Sequence, residues 1–273
     1  MSGSRRAGVA RSVFAGDGRT ERVTSDLRLT YLGHATVLIE LDGVRIVTDP
    51  LLVDRLGPLR RAGPTPDPAA IGDVDAILIS HGHPDHFHRA SLRALHGHPL
   101  VVVPGGLGAR AARQGRRVQE VTADDSVQVG AVRVTAVPAR HGRWPLHPDV
   151  RPLGFVIEGS TRVYFAGDTA IHPGMARLAG RATVALLPVG RWGPPRGPDR
   201  LTPSTAVEAA GLVGATTVVP IHWGTLHLPG FAGGRWGWGS FAAGDAFAAE
   251  AAARAPGLDV RVLRPGESTE IRT

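Results

Sequence analysis

Apolar and polar positions along this chain change rhythm every few residues. Short runs that alternate, or stay apolar throughout, predict strands over 27–32, 35–41, 44–49, 76–79, 100–103, 118–121 and 126–129. Further runs over 131–137, 155–158, 161–166, 184–189, 217–221 and 260–263 continue the series. Asp42-Gly43, between the second and third runs, is the signal of a tight hairpin. Helical spacing marks 87–95, 108–114 and 241–254. Another helix begins at Thr202-Pro203, an N-cap followed by proline in the first turn; Ala206, Val207, Ala210 and Val213 form its stripe and Gly214 stops it. Residues 50–70, rich in Pro, Gly and Arg, read as a long surface loop, and 1–25 as a loosely ordered arm. Two groups of strands with accompanying helices predict an α/β fold. Its expected form is a four-layer αββα sandwich within one domain over 26–273. Periodicity alone leaves other α/β arrangements open.

Composition alters this picture in two places. Hydrophobic residues make up 42% of the 273 residues, enough for a substantial core. No apolar run approaches the roughly 20 residues that span a bilayer. The N-terminal segment has no apolar stretch of the kind a signal peptide needs, so a cytoplasmic protein is the default expectation. The formal charge of +7 invites a nucleic-acid or acidic-lipid partner. All 31 basic residues are Arg, however, in a chain rich in Ala, Gly and Pro, a bias typical of GC-rich coding. Arg110, Arg113, Arg116 and Arg117 read as a solvated helix face, and nucleic acid is not the expected partner. The absence of cysteine matters more: any metal has to be held by His and carboxylate.

Such ligands arrive together where the 76–79 strand ends, as Ser80-His81-Gly-His83-Pro84-Asp85-His86. Residues two apart in extended chain share a face, so His81, His83 and Asp85 can point at one spot. A turn at Pro84 into a helix would swing His86 toward the same pocket. The plainer reading, a polar loop after a buried strand, does not explain four metal-type side chains within six residues. Asp49, His141, Asp168 and His222 also stand at strand ends. Singly, each is more often a turn former than a ligand. Together they would converge on one edge of a sandwich.

The motif His81-Gly-His83-Pro-Asp85-His86, followed in order by His141, Gly167-Asp168 and His222, resembles the metallo-β-lactamase superfamily. The resemblance implies an αββα sandwich with two divalent metal ions, Zn2+ first, with Mn2+ or Fe2+ as alternatives. It implies that His81, His83 and His141 hold one ion, that Asp85, His86 and His222 hold the other, and that Asp168 bridges them. Asp49 matches an acidic residue that supports a ligand from behind. A narrower resemblance runs through Tyr31-Leu-Gly-His34-Ala-Thr, Thr48-Asp49-Pro50-Leu and Phe165-Ala-Gly-Asp168-Thr. Leu187-Pro-Val-Gly190 and Pro220-Ile-His222-Trp223-Gly-Thr225 extend it. These look like the branch of N-acyl-phosphatidylethanolamine phospholipase D and L-ascorbate-6-phosphate lactonase. The phospholipases carry an aromatic residue where Pro84 stands, so the metal set matches better than the substrate.

The implied activity is hydrolysis in which a metal-bridging hydroxide attacks phosphorus, as in a phosphodiesterase; a lactone or other carbonyl ester is the alternative. A non-catalytic nucleic-acid-binding role is a third expectation, from a different class. The catalytic candidates are Asp85, Asp168, His34 and His227. His34, in its Gly-His-Ala-Thr setting, would reach the pocket as a supporting donor or substrate contact, or else serve as a cap or core residue. Arg143, Trp144, His172, Arg191, Trp192 and Trp223 lie just after ligand or strand ends and are the candidate contacts to a small-molecule or lipid-like substrate. His88, His96, His98 and His147 are assigned to the surface. The Gly- and Trp-rich stretch 230–239 would supply a lid, a contact between copies in a homo-oligomer or a membrane-touching tip, or tuck into the core.

Overall fold

A computed structural model of the chain describes residues 27–142, 145–146, 149–190, 199–229 and 242–272, so the expected arm over 1–25 lies outside the described residues. The hydrophobic runs assemble into two seven-stranded sheets. The first has the spatial order Ser268–Ile271, Leu27–Gly33, Thr36–Leu41, Val44–Thr48, Ala76–Leu78, Leu100–Pro104 and Arg117–Val121. The second runs Asp259–Val260, Thr217–Ile221, Val184–Pro188, Arg162–Phe165, Leu153–Glu158, Val132–Pro138 and Ser126–Val129. In both, one half is an antiparallel meander and the other half is parallel. Parallel strands finish at the same edge, so each parallel half delivers its C-terminal loops side by side.

Alternation decides which layer each side chain enters. Val37, Ile39, Ile46, Ala76, Leu78 and Val102 join the core between the sheets. Their neighbours Leu38, Val47, Ile77, Val101 and Val103 turn the other way, onto Leu92, Leu107 and Ala111 of the helices Arg89–Ala94 and Gly108–Ala112. Strands buried on both faces explain why these runs are continuously apolar. The helices Pro203–Val213 and Ala243–Arg254 cover the second sheet, completing four layers. Asp42 and Gly43 both adopt positive φ, 50° and 78°, as a tight hairpin between twisted strands requires. Thr202 and Thr205 form a reciprocal cap at the helix start expected there, and Gly214 ends that helix in the left-handed conformation.

Three expectations need correction. Residues 50–70 are not loop throughout: Arg55–Leu56 and Leu59–Arg61 form a hairpin that pairs with Leu226–His227, and Pro68–Ile71 is a short helix. The closing strand is Ser268–Ile271, paired antiparallel with the first strand, while 260–263 contributes only the end of Asp259–Val260. Its sequence, Ser-Thr-Glu-Ile, carries little apolar signal because it is an edge strand. Arg116 does not lie on a solvated face. Its guanidinium donates to the carbonyls of Leu92, Arg93, Leu95 and Gly97, satisfying groups left open at the end of the Arg89–Ala94 helix.

Candidate metal centre

The ligand-type residues gather where the parallel strands end. The first sheet brings Asp49 and 80–86 there, the second brings Asp168 and His222, and His141 follows Val132–Pro138. Residues 81–86 do not continue the strand. The amides of His86 and Phe87 both bond to the carbonyl of His83, at 3.0 and 2.8 Å, closing a turn around Pro84. Strand alternation therefore fails as a guide here, and His81, His83 and Asp85 do not share one focus. They divide between two groups of converging ligand atoms, His81, His83 and His141 in one and His34, Asp85, His86 and His222 in the other, while Asp49 converges with His81 and His86 behind both. Asp168 lies between the groups, 3.5 Å from His141 Nε2, 3.7 Å from His86 Nε2 and 3.2 Å from His222 Nε2.

Partners behind the rings set the tautomers. Asp49 is fully buried; it accepts from the Ser80 amide at 2.7 Å, from Ser80 Oγ at 2.5 Å and from His86 Nδ1 at 2.7 Å. Because a carboxylate only accepts, the Ser80 hydroxyl gives its proton to Asp49. Its oxygen is then left to receive His81 Nδ1–H at 2.9 Å. His141 Nδ1 lies 3.0 Å from the Asp199 carbonyl, an acceptor that requires the proton on this nitrogen. His81, His86 and His141 are thus disposed to turn an Nε2 lone pair inward. His83 instead presents Nδ1, 2.8 Å from His81 Nε2 and 3.3 Å from His141 Nε2.

The electrostatics fit a cation. Burial pushes His81 well below the usual imidazole range, His83 down to about 4 and His222 down to about 3, leaving neutral rings. Burial also opposes charge on His86, but Asp85, Asp168 and Asp49 outweigh it and hold that ring well above its ordinary value. Asp85 and Asp168 stay ionised against burial, Asp85 through His86 and His34, Asp168 through His222, His86 and His141. His86 Nε2, His222 Nε2 and Asp168 Oδ1 are buried without hydrogen-bond partners. Buried carboxylates that draw positive charge onto His86, beside polar atoms left without partners, are costly unless a cation completes the pocket and takes up that charge in place of the His86 proton. Neutral imidazole with carboxylate is the donor set of zinc and similar divalent ions.

Strain collects at the same place. His34, Asp49 and His222 are three of the five non-glycine residues with positive φ among the described residues. Two glycines are required by close approach. A Cβ on Gly167 would stand 2.5 Å from Ser80 Cβ, and one on Gly190 would overlap the carbonyl oxygen of His222.

The other expected residues separate. His34 does reach the site, buried, with Nε2 2.9 Å from Asp85 Oδ2. Trp223 does not face a substrate: it stacks on Tyr31 with centroids 6.2 Å apart, bonds to the Pro220 carbonyl and packs in the core. His227 lies on the small third sheet opposite Arg60 and joins neither ligand group, because the chain turns away after His222. His172 begins the 3-10 turn Pro173–Leu178, half-buried, with burial and Arg140 lowering its pKa. Arg143, Trp144, Arg191, Trp192, His147 and the 230–239 stretch lie outside the described residues. His88 caps the Arg89–Ala94 helix. Ser80 was not singled out by the sequence, although a hydroxyl next to His81 in the motif is its visible trace.

Two mixed sheets flanked by helices, with ligands gathered at one edge, define a metallo-β-lactamase fold. The chain belongs to the family described as Beta-lactamase superfamily domain, whose model matches residues 44–223. It is 34% identical to a UPF0173 metal-dependent hydrolase of Rubrobacter xylanophilus, over 88% of this chain and 95% of that protein. It is also 34% identical to an uncharacterised protein of Mycobacterium tuberculosis over 80% of this chain, and there it spans only 62% of the relative's length. The solved structure of Igni18, described as a novel metallo hydrolase from the archaeon Ignicoccus hospitalis, superimposes with a TM-score of 0.67 at 23% identity. That alignment covers 89% of this chain and 97% of Igni18, and shows the shared fold.

Proposed function

We propose that the chain is a dinuclear metal-dependent hydrolase acting on a phosphodiester. The observation that carries this reading is the pair of ligand groups with Asp168 between them. His81, His83 and His141 would hold one ion, Asp85, His86 and His222 the other, with Asp168 reaching both. Zn2+ suits this set best; Mn2+ and Fe2+ are the alternatives. Such a pair, when bound, supplies Lewis acidity toward the reacting ester and lowers the pKa of water toward neutrality.

The protein's own part is positional. Asp49, Ser80 and the Asp199 carbonyl keep protons on the outward nitrogens of His86, His81 and His141, so these rings do not have to turn over during a reaction cycle. The buried floor of Asp49, His86 and Asp168 excludes water from behind the ligands. The phosphodiester rests on the likeness of the Tyr31–Thr36, Leu187–Gly190 and Pro220–Thr225 motifs to the branch that includes a phospholipase D; the lactonase of the same branch keeps a carbonyl ester as the second reading. Of the basic residues, Arg61, Arg45 and Arg116 are engaged with carbonyls of the chain itself. Among the described residues, no helix is long and apolar enough to cross a membrane. A cytoplasmic setting belongs to the same proposal.

The test combines elemental analysis with turnover of an aryl phosphodiester, a lactone and a thioester by zinc- or manganese-loaded protein. Two ions per chain and phosphodiester hydrolysis are expected. Lactone turnover without phosphodiester turnover would transfer the assignment to carbonyl esters, and salt-sensitive RNA binding without any hydrolysis would overturn it.

A further inference from the structure

His34 is tied to the site by more than its ring. Its Nε2 meets Asp85 Oδ2 at 2.9 Å, and its carbonyl accepts the His222 amide at 2.6 Å. Its own amide donates to Thr225 Oγ1 at 2.6 Å. One residue therefore touches the 80–86 turn through its side chain and the loop after Thr217–Ile221 through its backbone. Asp85 and His222 come from different sheets and have no covalent reason to stay in register.

The turn carrying His34 is itself fixed. Its φ is 57°, after Gly33 at 102°, where the pairing of Leu27–Gly33 with Thr36–Leu41 slips. A Cβ on Gly33 would stand 2.7 Å from Arg61 Nη1 and 3.1 Å from Thr225 Oγ1. Arg61, itself buried, donates to the carbonyls of Leu32, Leu51 and Val53, anchoring the strand that leads into the turn and the segment that follows Asp49. This backbone is held from below, and the His34 ring is held against the ligands.

We propose that His34 is a positioning residue: as a hydrogen-bond donor to Asp85 and a backbone acceptor for His222, it holds these two ligands in register for the second metal position. This rests on the dinuclear reading above. An Nε2–H donated to the Asp85 carboxylate removes one of its rotational freedoms, which is how partners behind a ligand raise metal affinity. The His34 ring is also 4.1 Å, centroid to centroid, from that of His222, so it limits that ring's tilt.

The experiment is stepwise loading of metal-free full chain with Zn2+ against a chromophoric chelator, repeated with Co2+ to read its d–d absorption. His34→Ala should bind the first ion as the wild type does and the second about 10- to 100-fold more weakly, with a changed Co2+ spectrum for that second equivalent. His34→Gln, whose amide can still donate to Asp85, should recover to within about threefold of wild type, a rescue that loss of fold would not show. Second-ion affinity unchanged in His34→Ala would overturn the proposal. So would a His34→Gln variant as weak as His34→Ala, since the imidazole would then act as a ligand in its own right. A wild-type chain that takes up a single ion would instead sink the dinuclear reading, independently of either variant.

Discussion

The two ligand groups of this site are built differently. His81, His83 and His141 draw on two chain segments; His83 is partly exposed, and its group is held by a serine hydroxyl and a backbone carbonyl. His34, Asp85, His86 and His222 come from three segments, all buried, with two of the four in left-handed conformations. The first group is open and loosely braced, whereas the second is deep and determined from several directions. Rigidity near a reacting centre is what holds ligands to fractions of an ångström, while openness is what a substrate needs for entry. The second group is the more deeply enclosed end of the site and the first the more exposed.

Asp168 is where this contrast is easiest to abolish. It approaches His141 on one side and His86 and His222 on the other, so Asp168→Ala should disturb both positions together. Hydrolysis should fall by about 10³-fold or more, roughly 4 kcal/mol of barrier. Bound metal should drop by more than one equivalent on elemental analysis. Loss from only one position would mean that Asp168 belongs to one group and does not join them.

A backbone push should strike the second group alone. In Gly190→Ala the new methyl would overlap the His222 carbonyl and come within 2.8 Å of Trp223 Cα, and backbone cannot yield as a side-chain tip does. We expect a loss of about 100-fold in affinity for the second ion, with the first ion little changed. Equal weakening of both would show that the two ends are mechanically one unit.

The chemistry of the site was more legible than its geometry. His81, His83, Asp85, His86, His141, Asp168 and His222 could be picked out because ligand types at successive strand ends are rare by chance. Which of them face one another followed from the family resemblance and not from their spacing, because the turn closed on the His83 carbonyl replaces the strand alternation that the spacing suggests. Trp223 shows the opposite failure: an aromatic beside a ligand looks like a substrate contact, and only packing reveals the stack on Tyr31. The sheets were visible from their apolar runs, whereas Ser268–Ile271 was hidden because an edge strand needs few apolar residues. His34 sat in a conspicuous motif, but its pairing with Asp85 spans 51 residues of sequence and no local pattern encodes it.

The mildest change tests the open end. Ser80→Ala removes the hydroxyl that receives the His81 Nδ1 proton and hands its own to Asp49, while the Ser80 amide bond to Asp49 at 2.7 Å remains. His86 keeps its direct bond to the same carboxylate, so the second group retains its support. His81 becomes free to exchange tautomers, and a fraction of molecules would then present the wrong nitrogen or the wrong tilt. About a tenfold loss in affinity for the first ion is expected, near the low end for partners behind a ligand. Thermal stability should fall by only a few degrees, since one buried hydrogen bond contributes about 1 kcal/mol. Stepwise Zn2+ titration of the variant reads this directly. If the second ion weakens more than the first, Asp49 Oδ2, which accepts from both Ser80 Oγ and His86 Nδ1, transmits the change to His86, and the two ends share one brace.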